Sequence, residues 1–191
     1  MNQLQHKNGG KWAVAGLDFV LEQDRVYYEV QLGPDFKGTV RVGVYRHEKK
    51  GISKLAKGEN WTRSLSDVLN NHCHYSHSLS KHVLRFDSLV AAVNDEKGEI
   101  NMKSLGVYGC TFQGLHPNAV IGVTVGFSDI PVVVYRVNGE VVSQHVSKVR
   151  GNVSPFVAWE GGGIGVAFEE KGWKGQCSRG ADGVIRASNL I

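Results

Sequence analysis

Residues 118–168 read NAVIGVTVGFSDIPVVVYRVNGEVVSQHVSKVRGNVSPFVAWEGGGIGVAF, and their pattern decides the fold. Residues 119–127 alternate apolar with small or polar side chains. Residues 131–137 form a β-branched run that includes Tyr135. Asn138-Gly139 follows, the strongest hairpin signal in the chain, because a type I′ turn needs positive φ at both central residues. Residues 140–146 return, and 156–168 add a last strand interrupted by glycines. The stretch therefore predicts four consecutive strands.

Upstream the same period continues. In RVYYEVQL, residues 25–32, Val26, Tyr28, Val30 and Leu32 share one face. Gly33-Pro34-Asp35 reads as a turn. In TVRVGVY, residues 39–45, Val40, Val42 and Val44 alternate with Arg41, Gly43 and Tyr45. KWAVAGLDF, residues 11–19, predicts a first strand with Trp12, Val14 and Leu17 in the core, preceded by a loose polar arm at 1–10. LGVYGCTF, residues 105–112, and GVIRASNLI, residues 183–191, complete about nine or ten strands by this pattern. No crossover helix separates them, so the sheets should be antiparallel and the fold an all-β sandwich.

The long segment 46–104 breaks the pattern. It predicts one or two short helices, SLSDVLNN at 64–71, capped by Ser64 or Ser66, and SLVAAVNDEKG at 88–98, capped by Asp87 or Ser88 and closed by Gly98, while HVLRF at 82–86 suits a strand. Residues 98–104 read as a turn. With 191 residues and no Pro/Ser linker, the expectation is one domain over 1–191 with this insertion inside it.

Composition sets wider bounds. The chain is 41% apolar and 21% charged, as in ordinary soluble domains. No window approaches 18 uninterrupted apolar residues, so no membrane span is expected. The N-terminal residues lack the apolar core of a secretory signal. Cys73, Cys110 and Cys177 are odd in number and irregularly spaced, which favours reduced thiols and an intracellular setting, whether cytoplasm, nucleus or organelle. The net charge of +4 permits an acidic partner without demanding one.

Five segments, in order, carry a resemblance to a known family. DRVYYEVQLGPDFKGTVRVGVYR (24–46) resembles the paired strands of the SPRY (B30.2-type) domain, and LGVYGCTFQG (105–114) its middle strand. NAVIGVTVGF (118–127) resembles its "GDVIGV" strand and VVVYRVNGEVV (132–142) its "FYKNG" hairpin, while SPFVAW (154–159) and IGVAF (164–168) look like its closing strands. The likeness spans roughly 100 residues, and the ordered set is more specific than any one motif. Residues 47–104 form a longer link than the family usually has, and Asn118-Ala119 stand where an acidic residue is expected. The resemblance implies a bent sandwich of the concanavalin-like jelly-roll type. Its loops at one end would bind a short segment of a partner protein, as in an adaptor or complex subunit that is not an enzyme. By position that surface falls on Tyr45, Arg46 and His47, then on Leu105 and Gly106. Trp61 and Trp173, set among polar residues, are further candidate anchors.

Other chemistries were weighed against these residues. HCHYSHSLSKH, residues 72–82, holds His72, Cys73, His74, His77 and His82, but no second Cys/His pair lies at a zinc spacing. The segment is expected to be an exposed polar loop without metal. No nucleophile motif surrounds any cysteine, and Cys110 reads as a buried small apolar residue. Gly161-Gly162-Gly163 lacks the Lys-Ser/Thr of a phosphate loop and reads as a turn or bulge. Glu160, Glu169 and Glu170 would serve a glycosidase only if the fold paired them, and Trp159 reads as core. No catalytic residue and no cofactor is assigned. The alternative function is a nucleic-acid-associated subunit of a ribonucleoprotein complex. There Lys49, Lys50, Lys54, Lys57 and Arg63, interleaved with Trp61, would meet phosphates.

Overall fold

The computed structural model describes residues 2–4, 13–16, 21, 23–46, 75–80, 83–87, 90–94, 100–104, 107–127, 129–146, 153–175 and 183. Fourteen strands lie among them: β1 (Asn2–Leu4), β2 (Ala13–Gly16), β3 (Arg25–Leu32), β4 (Thr39–Arg46), β5 (Tyr75–Ser80), β6 (Val83–Asp87), β7 (Val90–Asn94), β8 (Ile100–Ser104), β9 (Val107–Gln113), β10 (Val120–Gly126), β11 (Val132–Val137), β12 (Glu140–Val146), β13 (Val153–Glu160) and β14 (Ile164–Ala167). One sheet runs β1-β14-β3-β10-β11-β12 and the second β2-β13-β4-β9-β6-β5, with β7-β8 as a separate ribbon. The pairings are antiparallel, as the lack of crossover helices predicted.

The two-residue period explains the core. From the first sheet, Val26, Tyr28, Val30, Ile121, Val123, Val125, Val133 and Tyr135 point inward. Val40, Val42, Val44, Cys110, Phe112 and Trp159 meet them from the second. The Phe112 and Tyr135 rings pack across the gap with centroids 6.2 Å apart. Tyr28 Oη donates to the Gly43 carbonyl at 2.8 Å, a direct polar tie between the sheets. Burial pushes the Tyr28 hydroxyl far above the usual tyrosine range.

Two consequences are measurable. Tyr28→Phe is expected to lower stability by about 1 kcal/mol in urea denaturation, the usual worth of one such bond. The unfolded chain gives up its tyrosine proton near pH 10, while folded Tyr28 keeps it. Stability therefore falls as pH rises above that value, and the variant should show a shallower fall. An unchanged midpoint and an unchanged alkaline slope would contradict the tie.

Several expectations are corrected. The helix predicted at 88–98 is replaced by β7, whose Asn94 pairs with Ile100 of β8 in the stretch read as a turn. Cross-strand pairing outweighs the helix propensity of Ala91 and Ala92 there. Part of the histidine-rich loop is β5, paired with β6, and part of the polar arm is β1, paired with β14. The one helical element among the described residues is a 3-10 turn, Glu170–Gly172, and it lies outside the insertion. The helix expected at 64–71 and most of the strand expected at 183–191 fall outside the described residues.

Candidate functional site

One end of the sandwich is closed by its own turns. Asn138 (φ 51) and Gly139 (φ 89) form the predicted turn with both φ values positive. Asn138 also stitches the hairpin to β10. Its backbone N–H donates to the Val120 carbonyl at 2.8 Å, and its Oδ1 accepts from the Val120 N–H at 2.9 Å. The glycine run joins β13 to β14 and lies against the β3–β4 turn. The Gly33 N–H donates to the Gly163 carbonyl at 2.9 Å, and the Lys37 N–H to the Gly161 carbonyl at 2.8 Å. A Cβ on Gly162 would come within 2.8 Å of Phe36 Cα. These glycines therefore let two turns nest, in keeping with the run's reading as a turn between strands.

The opposite end is where the long insertion leaves and returns. Tyr45 is opposite Val107 in the β4–β9 register, and Arg46 is opposite Val153 in the β4–β13 register. Asp87, which ends β6, pairs with Tyr108, so the β7–β8 ribbon departs from this same end and returns through residues 105–106. Backbone bonds continue past the strand ends here. The Leu21 N–H donates to the Val153 carbonyl at 2.8 Å, and the Phe127 N–H donates to the Asp24 carbonyl at 2.8 Å, extending the β3–β10 pairing.

The loop from β10 to β11 sits at this end and carries Ile130, which is 62% exposed. Sequence reasoning passed over it. The available signal was a large apolar residue after Ser128-Asp129 and directly before Pro131, which disfavours the helical conformation at position 130. The other exposed large apolar residue among those described, Val141, is the second residue of β12, near the Asn138-Gly139 end.

The remaining candidates divide. Tyr45 and Arg46 belong to β4 at the insertion end. His47, Leu105, Gly106, Trp61, Lys49, Lys50, Lys54, Lys57 and Arg63 lie outside the described residues, as do His72, Cys73, His74 and His82. His77 belongs to β5.

Trp173 is elsewhere, on the outer face of the first sheet. Its ring meets Tyr27 edge-on with centroids 4.7 Å apart, and its Nε1 is buried. It is thus half-covered by its own chain. Under it lies Glu29, completely buried although it falls on the face of β3 opposite Val26, Tyr28, Val30 and Leu32. Glu29 Oε1 accepts from Tyr27 Oη at 2.9 Å and from the Gly175 N–H at 2.7 Å. Its Oε2 accepts from Gln31 Nε2 at 3.2 Å and from the Lys174 N–H at 2.7 Å.

Glu160 ends β13 in the second sheet, whereas Glu169 follows β14 of the first and bonds Lys171. That ammonium holds the exposed Glu169 carboxyl below its ordinary value. Among the described residues no three His, Cys, Asp or Glu side chains converge on a metal position, and no helix is long and apolar enough to cross a membrane.

No family model matches the sequence, and no curated protein is significantly similar to it. Among solved structures, the chain is similar to the SPRY domain of human HERC1, at 14% identity and a TM-score of 0.46 over 86% of this chain and 87% of that one. A human SPRY domain gives 15% identity and a TM-score of 0.45 over 86% and 90% of the two chains. The κ-carrageenase of Pseudoalteromonas carrageenovora, solved with an oligotetrasaccharide of κ-carrageenan, gives 12% identity and a TM-score of 0.36, over 84% of this chain and 57% of the enzyme.

Proposed function

We propose that this chain is a non-catalytic recognition module, one intracellular domain that binds a segment of a partner protein through the end where the insertion leaves and returns. The observation that carries the reading is the register that sets Tyr45 beside Val107 and Arg46 beside Val153, at the same end as the exposed Ile130. A rigid sandwich supports that end, and nested turns close the other. Tyrosine and arginine are the residue types that most often dominate binding energy at protein interfaces. An exposed isoleucine at the same end supplies an apolar contact.

The test is affinity capture with quantitative mass spectrometry, comparing the unaltered chain with Arg46→Glu and Ile130→Asp. Both variants are expected to keep their melting temperature and to lose a common protein partner by at least about tenfold, the equivalent of one lost anchor at 1.4 kcal/mol. Undiminished recovery of every partner would overturn the proposal. So would recovery of RNA alone, in amounts that fall steeply with salt.

A further inference from the structure

The outer face of the first sheet holds a second feature, independent of the insertion end. Glu29 is flanked on the neighbouring strands by small residues. Gly122 of β10 and Ala167 of β14 pair with it, and Gly165 pairs with Gln31. Gly122 leaves room for the Tyr27 ring, whose hydroxyl a Cβ there would strike. The result is a shallow trough walled by Tyr27 and Gln31 and floored by a carboxylate.

Residues 172–175, Gly-Trp-Lys-Gly, lie in that trough, and most of their contacts are made through the main chain. The Lys174 and Gly175 N–H groups donate to Glu29, and the Gly172 carbonyl accepts from Gln31 Nε2 at 2.9 Å. The Trp173 ring stands edge-on to Tyr27. A Cβ on Gly175 would come within 2.9 Å of Glu29 Oε1, so that position accepts only glycine without a shift. Main-chain hydrogen bonds for affinity, one aromatic contact and one size filter for selectivity are the means by which proteins bind extended peptides.

The fit is also incomplete. Gln31 Oε1 and Trp173 Nε1 are both buried with no hydrogen-bond partner among the described residues. The two residues before the seated segment, Glu170 and Lys171, are exposed and bring it in through a single 3-10 turn. The segment thus meets the trough's polar groups only in part and is tethered by a short exposed turn.

We propose that the Tyr27–Glu29–Gln31 trough is a peptide seat that residues 172–175 occupy in cis, and that a partner segment with an aromatic residue two positions before a glycine takes the same seat when this strap lifts. The strap is the chain's own pseudo-ligand, so its sequence defines the class of peptide that competes with it. Glu29 reads the two consecutive N–H groups, Tyr27 the aromatic ring and Gln31 the carbonyl before it.

The probe is a fluorescein-labelled peptide of residues 169–176, EEKGWKGQ, followed by anisotropy. Gly175→Val displaces the strap by crowding Glu29, and Trp173→Ala loosens it while leaving the backbone contacts possible. The peptide is expected to bind Gly175→Val at least tenfold more tightly than the unaltered chain and to bind Trp173→Ala at an intermediate strength. Binding should be lost when the peptide tryptophan or its last glycine is replaced by alanine. Equal binding to all three proteins, or no binding to either strap variant, overturns the proposal.

Hydrogen exchange on the unaltered chain supplies a readout that survives if Gly175→Val fails to fold. The Lys174 and Gly175 amides should exchange at least 100-fold faster than those in the middle of β3, by opening of the strap alone. Exchange at the rate of β3, requiring the whole fold to open, overturns it.

Discussion

Glu29→Ala is expected to lower unfolding stability by about 4 kcal/mol, because it deletes the acceptor of four donors inside the fold. Tyr27 and Gln31 can turn toward other partners, whereas the Lys174 and Gly175 N–H groups are fixed by the backbone. Leaving those two unmet costs roughly 1–3 kcal/mol each, and the space left by the side chain adds to it. For a chain of this size the melting temperature should fall by about 10 °C. Glu29→Gln is expected to lie between, at about 2 kcal/mol. Its amide NH₂ must face one of the two donor pairs, where the Tyr27 hydroxyl can reverse and accept but an N–H cannot. Thermal and urea unfolding would check the order. A Glu29→Ala protein as stable as the unaltered chain would mean that the carboxylate does not hold the strap.

Gly43→Ala should be comparably severe, at about 3 kcal/mol or more, with Gly43→Val failing to accumulate as soluble protein. Gly43 faces Gly109 across the β4–β9 pair, and a Cβ there would collide with the Tyr108 carbonyl oxygen. That obstacle is backbone within a ladder and cannot swing aside as a side chain would. The same carbonyl group of Gly43 receives the Tyr28 hydroxyl, so any shift of β4 also loosens the tie between the sheets. Gly126 provides the contrast. A Cβ there meets the Val132 carbonyl at 3.6 Å, an ordinary contact, so Gly126→Ala should be close to neutral. If the two alanine variants unfold at the same urea concentration, close packing at β4–β9 does not constrain position 43.

Local pattern carried the sandwich. Val26, Tyr28, Val30 and Leu32 lie on the inner face because β3 alternates strictly, and Asn138-Gly139 turns as its positive-φ residues require. Trp159 and Cys110 were legible as core for the same reason. The opposite face of β3 was not legible. Glu29 looks solvent-facing by alternation, and the residues that bury it lie 145 and 146 positions away, beyond any local window. Residues 90–104 failed differently. The alanines up to Gly98 suit a helix and the polar residues after it a turn, and only the pairing of β7 with β8 decides otherwise. At the candidate site, the family resemblance pointed to Tyr45 and Arg46. Ile130 required the structure, because a single apolar residue in a turn has no period to give it away.

The most direct test is site-specific photo-crosslinking in cells, with a benzophenone amino acid in place of Arg46, Ile130 or, at the far end, Glu140. The account predicts that positions 46 and 130 capture the same partner protein, and that position 140, beside the closed Asn138-Gly139 turn, captures none. Capture of a common protein from position 140 alone would contradict it, as would capture of nucleic acid and no protein from positions 46 and 130.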